Sequence, residues 1–169
     1  MSRFMAVLLL VSVPTLHASE PPAPNARYSA QESVPKTGSR LRENISSTSL
    51  YPLDRPWNRF TDEQKAKVRA FYEDMPVEDE PPFPLKGMQP VLQDLSRLLG
   101  AARAEGVVHL EMTVDPTGKT TAFKIYKMPD LDTAKYVAVV FKETKFKPAV
   151  CGGKPCQMDF PFRLRIVPD

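Results

Sequence analysis

Apolar residues recur first with helical spacing and then with strand spacing, and the switch falls at Gly106. Val91, Leu92, Leu95, Leu98, Leu99 and Ala102 lie at i, i+3, i+4, i+7 intervals, which predicts an amphipathic helix from Pro90 to about Arg103. Proline suits its first position, where the backbone N–H has no intrahelical acceptor. After Gly106 the period is two. In "GVVHLEMTVD", Val108, Leu110, Met112 and Val114 share one face, and Val107, His109, Glu111 and Thr113 the other. "DPTG", Asp115 to Gly118, predicts a hairpin turn, with Pro116 at the first central position and Gly118 in the left-handed region. "KTTAFKIYKM" returns, with Thr121, Phe123 and Ile125 on one face. "PDLDTAKYVAVVFKETKF" predicts a helix capped by Asp130, with Leu131, Ala134, Ala138 and Phe141 as its inward stripe, ended by Pro148. The last strand spans Cys156 to Val167. Met158, Phe160, Phe162, Leu164 and Ile166 occupy one face, and Gln157, Asp159, Pro161, Arg163 and Arg165 the other.

The order strand, strand, helix, strand predicts a small α+β domain: a three-stranded antiparallel sheet packed on helices, spanning 83–169. Upstream, residues 61–82 read as a helix followed by an acidic, proline-rich approach segment. Thr61 with Gln64 makes a capping box, and the helix is expected to run to Met75, before Pro76. Residues 19–60 are rich in Pro, Ser, Asn and Arg without a hydrophobic period, and are expected to form a disordered linker. Within it, "YPLDRPWNRF" packs aromatics among prolines, and can either dock on the domain or float.

The 169-residue chain carries a formal charge of +3 and no dense Lys/Arg run, which does not favour a nucleic-acid partner. Residues 1–18 read as an export signal. Arg3 leads an apolar stretch from Met5 to Val13, Pro14 breaks it, and cleavage is expected between Ala18 and Ser19. The stretch is shorter than the roughly 20 apolar residues a spanning helix needs. The expected location is the periplasm, with inner-membrane anchoring as the alternative if the signal is retained. In an oxidising compartment, Cys151 and Cys156 have only each other to pair with.

No catalytic set is visible. His109 stands on the polar face of a strand without a nucleophile or an orienting partner in sight. Two cysteines with four residues between them are too few ligands for a zinc site and lack the Cys-x-x-Cys spacing of a redox motif. The reading is a protein without enzymatic activity, cofactor or metal.

Pro161 is informative because proline is tolerated in a sheet on an edge strand, with its nitrogen turned away from the neighbour. With Pro161 on the open edge, Gln157, Asp159, Arg163 and Arg165 would present their backbone groups there too. The last strand is thus the expected partner-binding edge, entered through a turn that a Cys151–Cys156 disulfide would fix.

The ordered set "EGVVHLEMTVDPTGKTTAFKIYK", a helix, "KFKPAV", a glycine turn and "FPFRLRI" resembles the C-terminal domain of TonB-family energy transducers. Phe83 and Pro84 stand at that family's Tyr-Pro, Gly106 and Val108 at its first strand, and Gly118 at its turn. Phe146 and Pro148 form its aromatic-x-Pro motif. The resemblance spans about Phe83 to Val167 and includes a longer helical segment before Gly106 than the family pattern has. It implies a periplasmic domain that grips an extended segment of an outer-membrane transporter by strand addition, linked to energy-dependent transport. The alternative is a soluble envelope scaffold or interaction protein without an energy-transducing role. An open edge also allows a homodimer by strand exchange.

Overall fold

The computed structural model describes residues 37–42 and 52–167. The expected signal with its Ala18–Ser19 cut, and residues 19–36 and 43–51 of the expected linker, lie outside the described residues.

A single 3-10 turn, Trp57–Arg59, leads into α1, Asp62–Arg69. The capping box forms as the sequence predicts: Gln64 N–H donates to Thr61 Oγ1 at 3.3 Å, and Thr61 N–H to Gln64 Oε1 at 3.0 Å. The helix stops short of Met75, because Phe71 and Tyr72 both turn into the core, 5% and 1% exposed. A two-residue strand β1, Phe83–Pro84, precedes α2, Gln89–Ala101, which buries Val91, Leu95 and Leu99 and has Pro90 in its first turn. The α2 end is a Schellman turn: Ala104 N–H donates to Leu99 O and Arg103 N–H to Gly100 O, with Arg103 at φ 51°.

β2, Gly106–Val114, shows the alternation its sequence predicts, with Val108, Leu110, Met112 and Val114 buried. The Asp115–Gly118 turn follows, Gly118 at φ 81°. The Asp115 carboxylate holds it by accepting from the Thr117 and Lys119 N–H groups, at 2.8 and 3.0 Å. β3, Thr120–Lys127, is a sheet edge; Phe123 is half-buried, and Thr121 and Ile125 are exposed. α3, Leu131–Glu143, is capped by Asp130, whose carboxylate accepts from Thr133 N–H at 2.7 Å. Its buried face is Thr133, Val137, Val140 and Phe141. Phe141 matches the expected stripe, whereas Leu131 is 72% exposed and Ala134 and Ala138 lie at its margin.

The chain then forms β4, Phe146–Lys147, a hairpin of β5, Ala149–Cys151, with β6, Lys154–Cys156, and finally β7, Met158–Ile166. The main sheet is antiparallel in the order β3-β2-β7, so α3 carries the chain across one face from one edge to the other. This is the three-stranded α+β architecture the alternation implies. The hairpin turn is Gly152–Gly153, both at positive φ, and Lys154 and Pro155 belong to β6.

The described residues belong to one compact unit, and Phe83 is not a domain boundary. Trp57, Phe60, Val68, Phe71 and Tyr72 share one core with Phe83, Phe146 and Phe160. Phe60 meets Phe83 edge-on at 5.2 Å, and Phe83 meets Phe160 edge-on at 6.0 Å. Residues 52–60, expected within a disordered linker, therefore dock. Burying a large apolar side chain contributes roughly 1.5–3 kcal/mol, so Trp57 and Phe60 offset part of the cost of ordering the segment. The acidic approach segment docks too. Asp79 is 7% exposed and accepts from Gly152 N–H at 2.7 Å, while Glu80 and Val150 exchange backbone hydrogen bonds of 3.0 and 2.8 Å.

Candidate functional site: the outer edge of β7

β7 pairs with β2 along its whole length, from Met158 opposite Val114 to Ile166 opposite Gly106. Backbone groups of a strand alternate sides with the period of its side chains. The odd-numbered carbonyls of this stretch reach acceptor roles outside the sheet: Gln157 O accepts from Gly38 N–H at 2.8 Å, and Asp159 O accepts from the Tyr72 hydroxyl at 2.9 Å. The even-numbered residues thus face β2, and the odd-numbered ones face outward. The ring nitrogen of Pro161 falls on the outward side, where no ladder hydrogen bond is lost.

The edge is not uniform. Thr37 bridges Gln157 in parallel, and Tyr72 caps Asp159, so the N-terminal half is covered by the chain itself. The Asp159 side chain is engaged as well, accepting from Thr113 Oγ1 at 2.7 Å. From Pro161 onward, none of the described residues bridges the outer edge. Pro161 itself is buried and sits opposite Glu111; Arg163 is half-buried opposite His109; Arg165 is exposed opposite Val107. Of the five residues the sequence places on this edge, three thus line its open half and two its covered half.

The sheet face behind this edge is cross-linked over β2 and β3. His109 stacks on Tyr126 with ring centroids 4.9 Å apart, and Lys124 Nζ lies 3.6 Å from Glu111. The Lys124 ammonium is held above its ordinary pKa by its contact with Tyr126, with Glu111 adding to it. His109 therefore packs against an aromatic ring.

Of the residues that carry the family resemblance, Phe83, Pro84, Gly118 and Phe146 converge away from the edge, whereas Gly106 pairs with Ile166. Phe83 and Pro84 pair antiparallel with Lys147 and Phe146. Phe146 N–H donates to Gly118 O at 3.1 Å, and a Cβ on Gly118 would strike the Phe146 carbonyl oxygen. Phe146 packs edge-on against Phe160 at 5.4 Å, and Val108 is fully buried. These positions brace the core behind β7 and leave its outer side to other residues.

Cys151 and Cys156 form a disulfide across the β5–β6 hairpin, with Cα atoms 5.9 Å apart, both buried. It stands directly before β7. Nearby, Lys147 Nζ lies 3.1 Å from Glu80 and 5.8 Å from the Trp57 ring centroid, which Lys65 and Arg69 also approach. Burial pulls the Lys147 ammonium below its usual range, with Glu80 opposing. Burial pushes Glu80 up, but its bond to Lys147 and the nearby Trp57 indole outweigh this, and its carboxyl ends below the ordinary value.

Tyr72 and Gly38, which cover the edge, are not legible as such in the sequence. Tyr72 belongs to a thin apolar helix end, and Gly38 to a segment without periodicity. Among the described residues, no three His, Cys, Asp or Glu side chains gather as a metal site would require, and no helix is long and apolar enough to cross a membrane. A groove of about 550 Å³ between α2 and α3, floored by Val91, Leu98 and Val139, is rimmed by charges of both signs.

No family model matches the chain, and no curated protein matches it. Among solved structures, the chain is similar to the solution NMR structure of the Pseudomonas aeruginosa TonB CTD, at 25% sequence identity over 41% of this chain and 74% of that one, with a TM-score of 0.31.

Proposed function

We propose that this chain is a periplasmic TonB-like binding module that takes an extended segment of an outer-membrane transporter, or of another envelope protein, as an added strand beside β7. The observation that carries the reading is the outer half of β7 from Pro161 to Ile166, which no described residue bridges and which is braced from behind by a continuous aromatic core. Main-chain hydrogen bonds supply affinity in strand addition, and alternate side chains supply specificity. The ordered motif from Phe83 to Pro148 supports the family assignment behind this reading.

The test is calorimetric titration of the full chain with synthetic peptides from the periplasm-facing ends of outer-membrane transporters, each paired with a version N-methylated at alternate residues. Binding that N-methylation abolishes supports the reading. Absence of binding by every peptide, or binding indifferent to N-methylation, would remove it.

A second reading, a structural envelope protein, is favoured by the self-covered half of the edge at Gln157 and Asp159. It predicts that the transporter peptides leave the chain unbound.

A further inference from the structure

We propose that residues Thr37 to Arg42 are a built-in competitor for the β7 edge, which an incoming strand must displace to reach Gln157 and Asp159. The proposal rests on the strand-addition reading above and adds to it a means of control.

The segment already makes the contact a visiting strand would make. Gly38 N–H donates to Gln157 O at 2.8 Å, with Thr37 in parallel register opposite Gln157. Its other end is tied to the residues after α1: Arg42 N–H donates to Phe71 O, Glu73 N–H to Arg40 O, both at 2.8 Å, and Arg42 Nε to Tyr72 O at 3.0 Å. Tyr72 is the residue whose hydroxyl caps Asp159. One short segment thus holds the first outward carbonyl directly and steadies the residue that holds the second.

Three features make it a competitor and not a member of the sheet. β7 is fully paired with β2 on its other side, so the sheet does not depend on the segment. "TGSRLR" offers little apolar area to bury; Leu41 is half-buried and packs at the margin of the core. The seat is also tight: a Cβ on Gly38 would push the Met158 thioether end aside and lie 3.0 Å from the disulfide-held Cys151 Sγ. A site whose competent state is only partly populated binds with an affinity reduced by that fraction. Removing the competitor should therefore tighten binding without adding any contact.

The test uses a fluorescent peptide of this chain's own residues 35–44 as the probe, with anisotropy measured on the full chain and on its Gly38→Val and Arg42→Ala variants. In the Gly38→Val chain the internal segment seats less well, because the branched side chain must displace the Met158 thioether end and crowds Cys151 Sγ, so the probe is expected to bind at least about tenfold more tightly than to the natural chain, where the tethered copy has a high effective concentration. Arg42→Ala, which introduces no clash, should give a smaller gain and guards against misfolding of the first variant. A peptide carrying the Gly38→Val change should bind more weakly than the unsubstituted probe. Equal binding to all three chains, or no binding to any, overturns the proposal and leaves strand addition standing. Next, an unlabelled transporter peptide is added to the Gly38→Val chain carrying the probe. Displacement of the probe supports the proposal. A transporter peptide that binds without displacing it puts the two on different surfaces and overturns the proposal alone. If no transporter peptide binds, the strand-addition reading fails and takes the proposal with it.

Discussion

The Tyr72 hydroxyl donates a 2.9 Å hydrogen bond to the carbonyl oxygen of Asp159, on the side of β7 that faces away from β2. The bond joins residues 87 positions apart and places a phenol where the next strand of a sheet would lie. Tyr72→Phe keeps the buried ring and removes only this donor. A neutral hydrogen bond of this kind contributes about 1 kcal/mol net, so urea denaturation of the variant should show a loss of that order. An unchanged midpoint would mean that water replaces the phenol at no cost.

Gly118 is where the hairpin turn and the Phe146 strand meet. Its φ of 81° disfavours any side chain, and a Cβ would collide with the Phe146 carbonyl. The left-handed backbone alone costs a non-glycine residue about 1–2 kcal/mol, and the collision adds to it. Gly118→Ala should therefore destabilise by more than about 2 kcal/mol, read as a drop in the urea midpoint. A loss below about 0.5 kcal/mol would mean that the turn and Phe146 are not packed as described.

Arg103 presents the opposite case. It closes α2 at φ 51°, a position where glycine is preferred, and its side chain is exposed. Arg103→Gly should stabilise the protein by about 0.5–1 kcal/mol, the left-handed penalty less the added freedom of the unfolded chain. Thermal unfolding would show it as a rise in Tm.

These positions show which parts of the molecule local sequence can specify. The β2 alternation, the Thr61 and Asp130 caps, the Pro90 start and the inward Met158, Phe160 and Phe162 are all set by neighbours within a few residues. The α3 face is harder. Alanines and valines from Ala134 to Val140 surround the helix almost evenly, so periodicity alone does not choose among them, and packing selects Val137 and Val140. Contacts across the fold leave no local trace. Nothing near Trp57 signals that it joins Phe83, and nothing near Gly38 signals that it sits against Cys151 and Met158. The candidate edge was therefore legible in part: its strand, its proline and its direction follow from alternation, whereas its covered half depends on residues about 90 and 120 positions upstream, a separation at which sequence pattern carries no signal.

The Glu80–Lys147 pair gives stability a signed pH dependence. Glu80 has a lowered folded pKa, so its contribution is complete above its unfolded value of about 4.3 and is lost as pH falls through the lower folded value. Lys147 also has a lowered folded pKa. The folded state releases that proton first, so this term raises stability as pH climbs from the folded value toward the unfolded value of about 10.4. Urea unfolding across pH should show the acid limb diminished in Glu80→Gln and the alkaline rise absent from Lys147→Met. Profiles parallel to that of the natural chain would contradict the assignment.

Reduction of Cys151–Cys156 should lower stability by about 2 kcal/mol, the loop-entropy value for so short a loop. The hairpin should persist, because Gly152 and Gly153 retain their turn and Asp79 still accepts from Gly152 N–H. Cys151→Ser with Cys156→Ser, followed by urea denaturation, measures the effect. Equal stability with and without the bridge would contradict it.

The central claim is that β7 accepts an added strand along its open half, from Pro161 onward. Amide hydrogen exchange of the full chain, resolved residue by residue by NMR with and without a saturating transporter peptide, tests it most directly. In the free chain the Phe160, Phe162 and Leu164 amides should exchange slowly, since they face β2, and the Arg163 and Arg165 amides quickly, since they face outward. With peptide bound, Arg163 and Arg165 should become protected while the even-numbered amides stay unchanged. Arg163 and Arg165 amides that are already protected in the free chain, or that stay fast under saturating peptide, would contradict the account.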